Sequence, residues 1–336
     1  MPADCEVVSF PAPEASAGIL PRWRNVRNAA RQKADVHHIV GDSHYLAFGL
    51  PPDRTVLTIH DCGALDRLSG WKRALLKYFW FTGPMRRAAV VTTISEASKA
   101  ELRKWVGPLA DKVVVVPDCV FEEFAYDPKP FNEECPVILQ VGTKWNKNVE
   151  RVMEAVRETG CRLEIVGKLE KASHGSTRIN TDVFRTEDLG AKSCSDRQSS
   201  SAPEPPGVRE LGRLTDQELV EAYRRCDMVV FASLYEGFGL PILEAQAIGR
   251  PVITSNFGAM REAAGEGALL VDPYSVDDIR AAILRIKNEP TLREEIVRKG
   301  RENMERYRAN TVAARYAELY RQVATAEQSE TDNSKS

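Results

Sequence analysis

The stretch Ser233-Leu-Tyr-Glu-Gly-Phe-Gly-Leu-Pro-Ile-Leu-Glu244 is the most informative part of this 336-residue sequence. An apolar run, residues 228–232, precedes it, and Pro241 suits the first turn of a helix. The pattern therefore predicts a strand, a loop that contains Gly237 and Gly239, and a helix. A helix N-terminus offers unpaired N–H groups and the positive end of the helix dipole, and glycines let backbone amides approach a ligand closely. Such a turn at the carboxyl end of a strand favours binding of an anion such as a diphosphate.

Two carboxylates accompany this turn. Glu236 stands on the loop and Glu244 lies one turn into the predicted helix, so the spacing allows both to face a ligand. The same spacing also fits a tight strand–helix turn with a solvated glutamate at each end, because glycine-rich turns of this kind are common. The spacing alone leaves both interpretations open.

Short apolar runs alternate with longer helical patterns on both sides of the stretch. The predicted strands are residues 6–10, 36–40, 55–59, 90–94, 112–116, 137–141, 162–166, 228–232, 251–254 and 268–271. The predicted helices are residues 22–33, 71–87, 96–105, 148–158, 216–225, 241–248 and 276–288. This alternation predicts an α/β protein with parallel sheets, and the nearly continuous apolar strands indicate burial on both faces.

The composition predicts two domains. An acidic, proline-containing stretch, residues 122–136, separates two series of strands and helices and is typical of a linker. A length of 336 residues is also about that of two domains. The predicted parts are an N-terminal α/β domain (1–130), a C-terminal α/β domain (131–306) with a mobile polar insertion (169–207), a terminal helix (307–326) and a disordered tail (327–336).

Charge and cysteine content exclude several classes of protein. The chain has 46 Lys and Arg against 48 Asp and Glu, which argues against a protein whose main task is to coat nucleic acid. Its seven cysteines form no Cys-x-x-Cys pair, so neither a disulfide framework nor a zinc site is expected. With no signal-peptide pattern and no apolar run of about 20 residues, we expect a cytoplasmic location.

The stretch that contains Glu236 and Glu244 resembles the E-x7-E signature of retaining nucleotide-sugar glycosyltransferases of the GT-B fold, in the large family-four group. The matching positions are Glu236, Gly237, Phe238, Gly239, Leu240, Pro241, Glu244, Ala245, Gly249, Pro251 and Val252. Residues 58–61, 93–98, 141–148 and 211–219 resemble other segments of the family. The resemblance implies two Rossmann-like domains that face each other across a cleft. The first domain would bind the acceptor and the second the nucleotide-sugar, and the terminal helix would cross back to the first domain.

The resemblance also implies which residues bind the donor. Glu244 would accept hydrogen bonds from the ribose hydroxyls, and Lys147 would neutralise the diphosphate with Lys144 as a helper. The further donor-binding positions are Gly142, Gly237, Phe238, Gly239 and Leu240, which contribute mainly backbone. Many relatives carry an arginine just before the lysine, whereas this sequence has Asn146.

Three residues are expected to take part in catalysis. By the resemblance, Glu236 would contact the transferred sugar, and Lys147 would stabilise the negative charge that develops on the leaving diphosphate. His60, at the end of a strand of the first domain, would face the donor across the cleft. Without the resemblance, a histidine at a strand end more commonly serves only local structure.

The implied reaction is transfer of a sugar from a nucleoside diphosphate with retention at the anomeric carbon. The sequence contains no Asp-x-Asp pair of the type that holds a metal on a diphosphate, so no metal or other cofactor is expected. In such enzymes the departing phosphate is thought to take the acceptor proton, and we assign no general base. The expected acceptor is a glycan or a lipid-linked molecule in cell-envelope or exopolysaccharide synthesis, and no nucleic acid is expected as a partner.

The segment 71–87 is basic and aromatic. Between residues 22 and 112 there are 16 Lys and Arg against 8 Asp and Glu. A basic amphipathic helix of this kind favours contact with an anionic membrane, here on the inner face. The alternative is a helix whose aromatic side chains pack in the domain core while its cations are solvated.

One feature departs from the family pattern. Relatives begin with a strand and a Gly-Gly loop, and no Gly-Gly pair follows residues 6–10 here. This departure predicts either a reduced first βα unit of the N-terminal domain or a shortened form of the chain. It leaves open a non-catalytic partner or scaffold subunit with the same fold, and a third possibility is a sugar-nucleotide epimerase of the GT-B fold. A nicotinamide dehydrogenase is disfavoured, because no G-x-G-x-x-G follows the first strand.

Overall fold

The computed structural model describes residues 5–169 and 207–333. These residues form two compact units. The first unit comprises the described residues up to Cys119 together with those from Tyr307 onward, and the second runs from Val120 to Arg306. Each unit is built on a wholly parallel sheet, so the predicted α/β class and the two Rossmann-like domains are confirmed.

The first unit contains a four-stranded sheet in the order β1-β2-β3-β4. Its strands are β1 (His37–Ile39), β2 (Thr55–Ile59), β3 (Val90–Thr93) and β4 (Val114–Val115). Its helices are α1 (Ile19–Ala29), α2 (Gly63–Asp66), α3 (Gly70–Leu76), α4 (Gly83–Arg87), α5 (Glu96–Val106) and, from the end of the chain, α12 (Ala309–Asn333). A π-helical turn, Lys77–Thr82, joins α3 to α4, so the helix predicted over 71–87 is present with an irregular middle.

The second unit contains a six-stranded sheet in the order β10-β9-β8-β5-β6-β7. Its strands are β5 (Val137–Val141), β6 (Arg162–Val166), β7 (Val208–Gly212), β8 (Met228–Phe231), β9 (Val252–Ser255) and β10 (Leu269–Val271). Its helices are α6 (Val149–Val156), α7 (Asp216–Arg225), α8 (Leu240–Ile248), α9 (Gly258–Ala264), α10 (Val276–Asn288) and α11 (Pro290–Met304). The direction of winding reverses between β5 and β8, which are adjacent in the sheet, and ligands of open α/β sheets bind at such a point.

Burial explains why these segments are strands. Every residue of β2 and of β8 is buried, as expected for central strands covered by helices on both faces. The helices bury one side only. In α10, for example, Ile279, Ile283 and Ile286 recur at helical spacing and enter the core of the second unit.

Polar side chains join the terminal helix α12 to the first sheet. His38 lies 2.6 Å from the Tyr320 hydroxyl through Nδ1 and 2.7 Å from Thr58 Oγ1 through Nε2. Thr58 in turn bonds Thr92 at 2.7 Å, and Tyr316 reaches Thr58 at 3.4 Å. Burial, with a smaller contribution from His60, lowers the pKa of His38 to about 4, so the network contains a neutral imidazole at pH 7.

The strand prediction at the start of the chain is wrong. Residues 6–10 form no strand, and Val7, Val8 and Phe10 are more than half exposed because no neighbouring strand pairs with them. The tail predicted to be disordered from residue 327 continues α12 as far as Asn333. That segment is polar, but it contains neither glycine nor proline to end the helix. The predicted insertion 169–207 lies almost entirely outside the described residues.

The domain boundary lies earlier than residue 130. Residues that follow Cys119 belong to the second unit, because their backbone is bonded there. Asp127 N–H donates to Ile248 O at 3.1 Å, and Arg250 Nη1 donates to Asp127 O at 2.8 Å. Lys129 Nζ also pairs with the buried Asp227 carboxylate at 2.7 Å.

In the described part of the chain, no helix has the length and apolar character needed to cross a bilayer.

Candidate functional site

Two loops meet at the point where the second sheet reverses direction. One follows β5 and comprises residues 142–148; the other follows β8 and comprises residues 232–239. The Leu234 N–H donates to Asn146 O at 2.8 Å, and Asn146 Nδ2 donates to Tyr235 O at 2.8 Å. The parallel pairing of β5 with β8 places both loops at the same edge, and these bonds fix one against the other.

A lysine–glutamate pair connects the two loops. Lys147 Nζ lies 2.8 Å from Glu236 Oε1, and it also lies 4.5 Å from the centre of the Phe231 ring. The two charged side chains are only 17% and 16% exposed, so the charges attract each other with little screening by water. Gly142, at φ 90°, makes room for the lysine, because a Cβ there would lie 3.0 Å from Lys147 Cε.

Asn148 fastens the loop after β5 to its neighbours. It is buried in the left-handed conformation at φ 57°, which asparagine tolerates better than most residues. Its Nδ2 donates to Ala232 O at 3.0 Å and to Pro273 O at 2.6 Å. Arg151 completes the arrangement by donating to Asn148 Oδ1 at 2.9 Å. The Asn148 side chain therefore joins the loop after β5 to the segments that follow β8 and β10.

Helix α8 begins directly after the second loop. Gly239, at φ 124°, provides the sharp entry into the helix, and Pro241 occupies its first turn. A side chain at position 239 would press on Ile242 and Ala263, both within 3.4 Å of an added Cβ. The helix directs its unpaired N–H groups and positive dipole end toward the loop, which suits a diphosphate.

Glu244 occupies the following turn of α8 and is held by a tyrosine. The fully buried Tyr223 on α7 donates its hydroxyl to Glu244 Oε2 at 2.6 Å. Burial raises the pKa of Glu244, while the hydrogen bond from Tyr223 and the charge of Lys147 oppose the rise. Burial next to Glu244 also raises the pKa of Tyr223, which keeps the phenol protonated as a donor.

His60 belongs to the first unit, where it follows β2. Its Nε2 lies 3.9 Å from Asp118 Oδ1, and both side chains are 34% exposed. Burial raises the pKa of Asp118, and the neighbouring His60 opposes that rise. The predicted histidine therefore has a carboxylate neighbour that its sequence position did not suggest.

Most of the predicted donor-binding residues lie together in the second unit. Lys147 packs against Gly142 and forms an ion pair with Glu236. The helix that carries Glu244 is entered through residues 237–240, namely Gly237, Phe238, Gly239 and Leu240. Lys144 is exposed, and it forms no ion pair with any residue that the structure describes. Their assigned roles stay predictions.

Sequence reasoning missed three contacts around these residues. Asn146 donates to Glu236, Tyr223 donates to Glu244, and Asp118 neighbours His60. The only signal for Asn146 was its replacement of the arginine common in relatives. Within residues 5–169 and 207–333, no group of three or more His, Cys, Asp or Glu residues has the arrangement of a metal site.

Sequence profiles of two families cover nearly the whole described chain. The profile described as "Glycosyl transferases group 1" matches residues 122–303, more than half of the chain, and "Glycosyltransferase Family 4" matches residues 3–123. Each profile therefore covers approximately one of the two units.

Curated relatives include two proteins from Escherichia coli. The chain is 26% identical to O-antigen chain mannosyltransferase B over an alignment of 279 residues, and the match covers 76% of this chain and 66% of that protein. It is 29% identical to the serotype-specific mannosyltransferase WbdA over an alignment of 295 residues, and the match covers 77% of this chain and 35% of that protein. The chain thus spans between about one third and two thirds of the length of these relatives.

Solved structures share the fold at low identity. Sucrose-phosphate synthase from Thermosynechococcus elongatus superposes with a TM-score of 0.69 at 22% identity, covering 97% of this chain and 87% of that one. Anabaena Alr3699/HepE, solved with UDP and glucose, gives a TM-score of 0.67 at 17% identity, covering 90% and 81%. Together with the profile matches, these likenesses show that the chain belongs to the glycosyl transferases group 1, of the family-4 type with the GT-B fold.

Proposed function

We propose that this protein is a glycosyltransferase that moves a sugar from a nucleoside-diphosphate-sugar to an acceptor with retention and without a metal ion. The observation that carries the proposal is the Lys147–Glu236 pair at the reversal point of the second sheet. There a cation, the N-terminus of α8 and a carboxylate lie on two loops that hydrogen bonds join.

The chemistry of a nucleoside diphosphate leaving group fits this set of residues. As the glycosidic bond breaks, negative charge grows on the diphosphate, and preorganised cations and helix N–H groups stabilise it. Lys147 supplies the cation, and α8 supplies the helix N-terminus. Glu244 binds the ribose hydroxyls with the carboxylate oxygen that Tyr223 does not hold. Glu236 contacts the sugar that is transferred.

The acceptor we propose is a growing glycan or a lipid-linked molecule in cell-envelope or exopolysaccharide synthesis, at the cytoplasmic side of the membrane. The names of the two Escherichia coli relatives support glycan synthesis, and mannose is therefore the first sugar to test. His60, with Asp118 beside it, is our candidate contribution of the first unit to catalysis.

A thermal-shift screen followed by a transfer assay tests the function. A ligand that binds the native state raises the melting temperature, by an amount that grows with its concentration relative to Kd. We expect UDP or GDP and the matching sugar nucleotide to raise it, and the same sugar nucleotide to release its nucleoside diphosphate when acceptor extract is added. Addition of EDTA should leave the rate unchanged.

Other outcomes of this screen would contradict the proposal. A strict metal requirement would refute metal independence. No thermal shift and no release with any sugar nucleotide would favour a non-catalytic scaffold, which agrees with the absence of a strand over residues 6–10.

We further propose that the helical segment 70–87 contacts an anionic membrane. Trp71 (70% exposed), Leu75 (49%), Tyr78 (50%) and Phe79 (45%) recur at helical spacing and leave an apolar face in water. The opposite side enters the core through Phe81 and Met85. The segment therefore places some of its aromatic side chains in the core and leaves others exposed, and the exposed ones form the surface for the membrane contact that we propose.

Basic side chains accompany this apolar face and favour a lipid surface over a neutral partner. Lys72 and Arg86 are exposed beside it, and each cation near an anionic surface contributes about 1 kcal/mol. We expect the protein to co-sediment with vesicles that contain phosphatidylglycerol and much less with pure phosphatidylcholine vesicles. The double variant Trp71→Ala, Tyr78→Ala should bind at least about tenfold more weakly, because two large apolar side chains no longer enter the interface.

Trp145→Ala is the matched control, since Trp145 is 77% exposed but lies in the second unit. It should bind vesicles like the wild type. Equal binding by the double variant, or no binding by the wild type, would count against the membrane contact.

A further inference from the structure

Asn146 contacts three consecutive residues of the opposite loop. Its carbonyl accepts from the Leu234 N–H at 2.8 Å. Its side-chain Nδ2 donates to Tyr235 O at 2.8 Å and to Glu236 Oε1 at 3.1 Å. Both N–H groups of the Asn146 side-chain amide therefore donate to the loop that carries Glu236.

The two oxygens of the Glu236 carboxylate are in different environments. Oε1 forms the ion pair with Lys147 Nζ and accepts the hydrogen bond from Asn146 Nδ2. Among the residues that the structure describes, none donates a hydrogen bond to Oε2. A carboxylate whose first oxygen is held by two donors has a fixed orientation, and its second oxygen remains available to a hydroxyl group of a ligand.

Lys147 cannot serve Glu236 and a diphosphate equally well. Its ammonium is a compact point charge with three donors, and a diphosphate carries more negative charge than one carboxylate. When the donor binds, we expect the phosphates to attract Lys147, which would weaken its contact with Glu236 Oε1. Asn146 is neutral, so the diphosphate attracts it much less, and its second bond to Tyr235 O keeps the amide in place.

We propose that Asn146 is a positioning residue that keeps Glu236 oriented toward the transferred sugar after Lys147 has turned to the diphosphate. This inference rests on the proposed function. It gives the asparagine a role in turnover and not in donor affinity, since it holds the carboxylate that contacts the sugar and does not bind the phosphates.

The test compares kcat with nucleoside diphosphate affinity in variants of Asn146. Asn146→Ala should lower kcat by about 10- to 100-fold, the effect expected when a hydrogen bond to a charged group is lost. Calorimetry should give a Kd for the nucleoside diphosphate within about twofold of wild type. Asn146→Gln retains an amide donor and should recover part of kcat, and melting curves confirm that each variant is folded.

A double-mutant cycle with Glu236→Gln makes the test specific. If Asn146 acts through Glu236, then Asn146→Ala in the Glu236→Gln background should change kcat by no more than about twofold. Independent losses in the double variant, or wild-type kcat in Asn146→Ala, would overturn this inference while leaving the proposed function standing. A wild-type protein that transfers no sugar would instead overturn the proposed function, and the role of Asn146 with it.

Discussion

We expect Glu236→Gln to lower the turnover of sugar transfer by about 100-fold, or about 2.7 kcal/mol, without lowering the affinity for the nucleoside diphosphate. Glycosyl transfer passes through a transition state with oxocarbenium character, and an adjacent carboxylate stabilises the positive charge. Glutamine keeps the shape of the side chain but removes its charge. It also releases Lys147, which sits 2.8 Å away, for stronger contact with the diphosphate.

The measurement is steady-state kinetics beside calorimetry with the nucleoside diphosphate. Glu150→Gln is the matched control, because Glu150 is an exposed glutamate on the neighbouring helix α6 and loses the same charge. The control should keep wild-type turnover. Wild-type turnover in Glu236→Gln would remove this residue from the reaction.

Lys147→Ala should have the second large effect, on affinity as well as on rate. Loss of a charge-assisted hydrogen bond costs about 1.5–3 kcal/mol, so the Kd for the nucleoside diphosphate should rise about 10- to 150-fold. Turnover should fall by about 100- to 1000-fold, since the cation stabilises charge that develops on the leaving group. The variant also leaves the largely buried Glu236 carboxylate without its counter-ion, so a modest fall in melting temperature is expected.

Lys144→Ala separates this specific effect from a general loss of positive charge. Lys144 lies on the same loop but is exposed, and its removal should raise the Kd only a few-fold. Calorimetry that finds equal affinities for wild type and Lys147→Ala would exclude Lys147 from the diphosphate site. Equal losses in the two lysine variants would mean that the loop attracts the diphosphate only through its overall charge.

Much of the fold could be predicted because its core segments combine apolar runs with clear breaks. Strand β8 is a short run without polar residues, and the glycines and Pro241 after it specify the turn into α8. Residues 6–10 show where the same reasoning fails. Val7, Val8 and Phe10 have strand propensity, but pairing depends on a neighbouring strand that no local pattern reveals.

The residues of the site fall into two groups, those that short sequence motifs identify and those that only the folded structure brings together. Lys147, Glu236 and Glu244 belong to motifs of a few residues and could be found from spacing and resemblance. Their partners could not, because Asn146 and Glu236 are 90 residues apart and Tyr223 and Glu244 are 21 apart. Such contacts depend on strand order, and the order of β5 beside β8 is a property of the whole sheet.

The first unit is formed from two stretches of the chain that are far apart in sequence, and this affects the order in which the units can fold during synthesis. Tyr320 and Tyr316 bond side chains that lie 282 and 258 residues earlier, so the polar face of the first sheet stays uncovered until α12 leaves the ribosome. The second unit is a continuous stretch from Val120 to Arg306 and is synthesised in full before that helix. Because domains generally fold as units during synthesis, the unit that starts first is completed last.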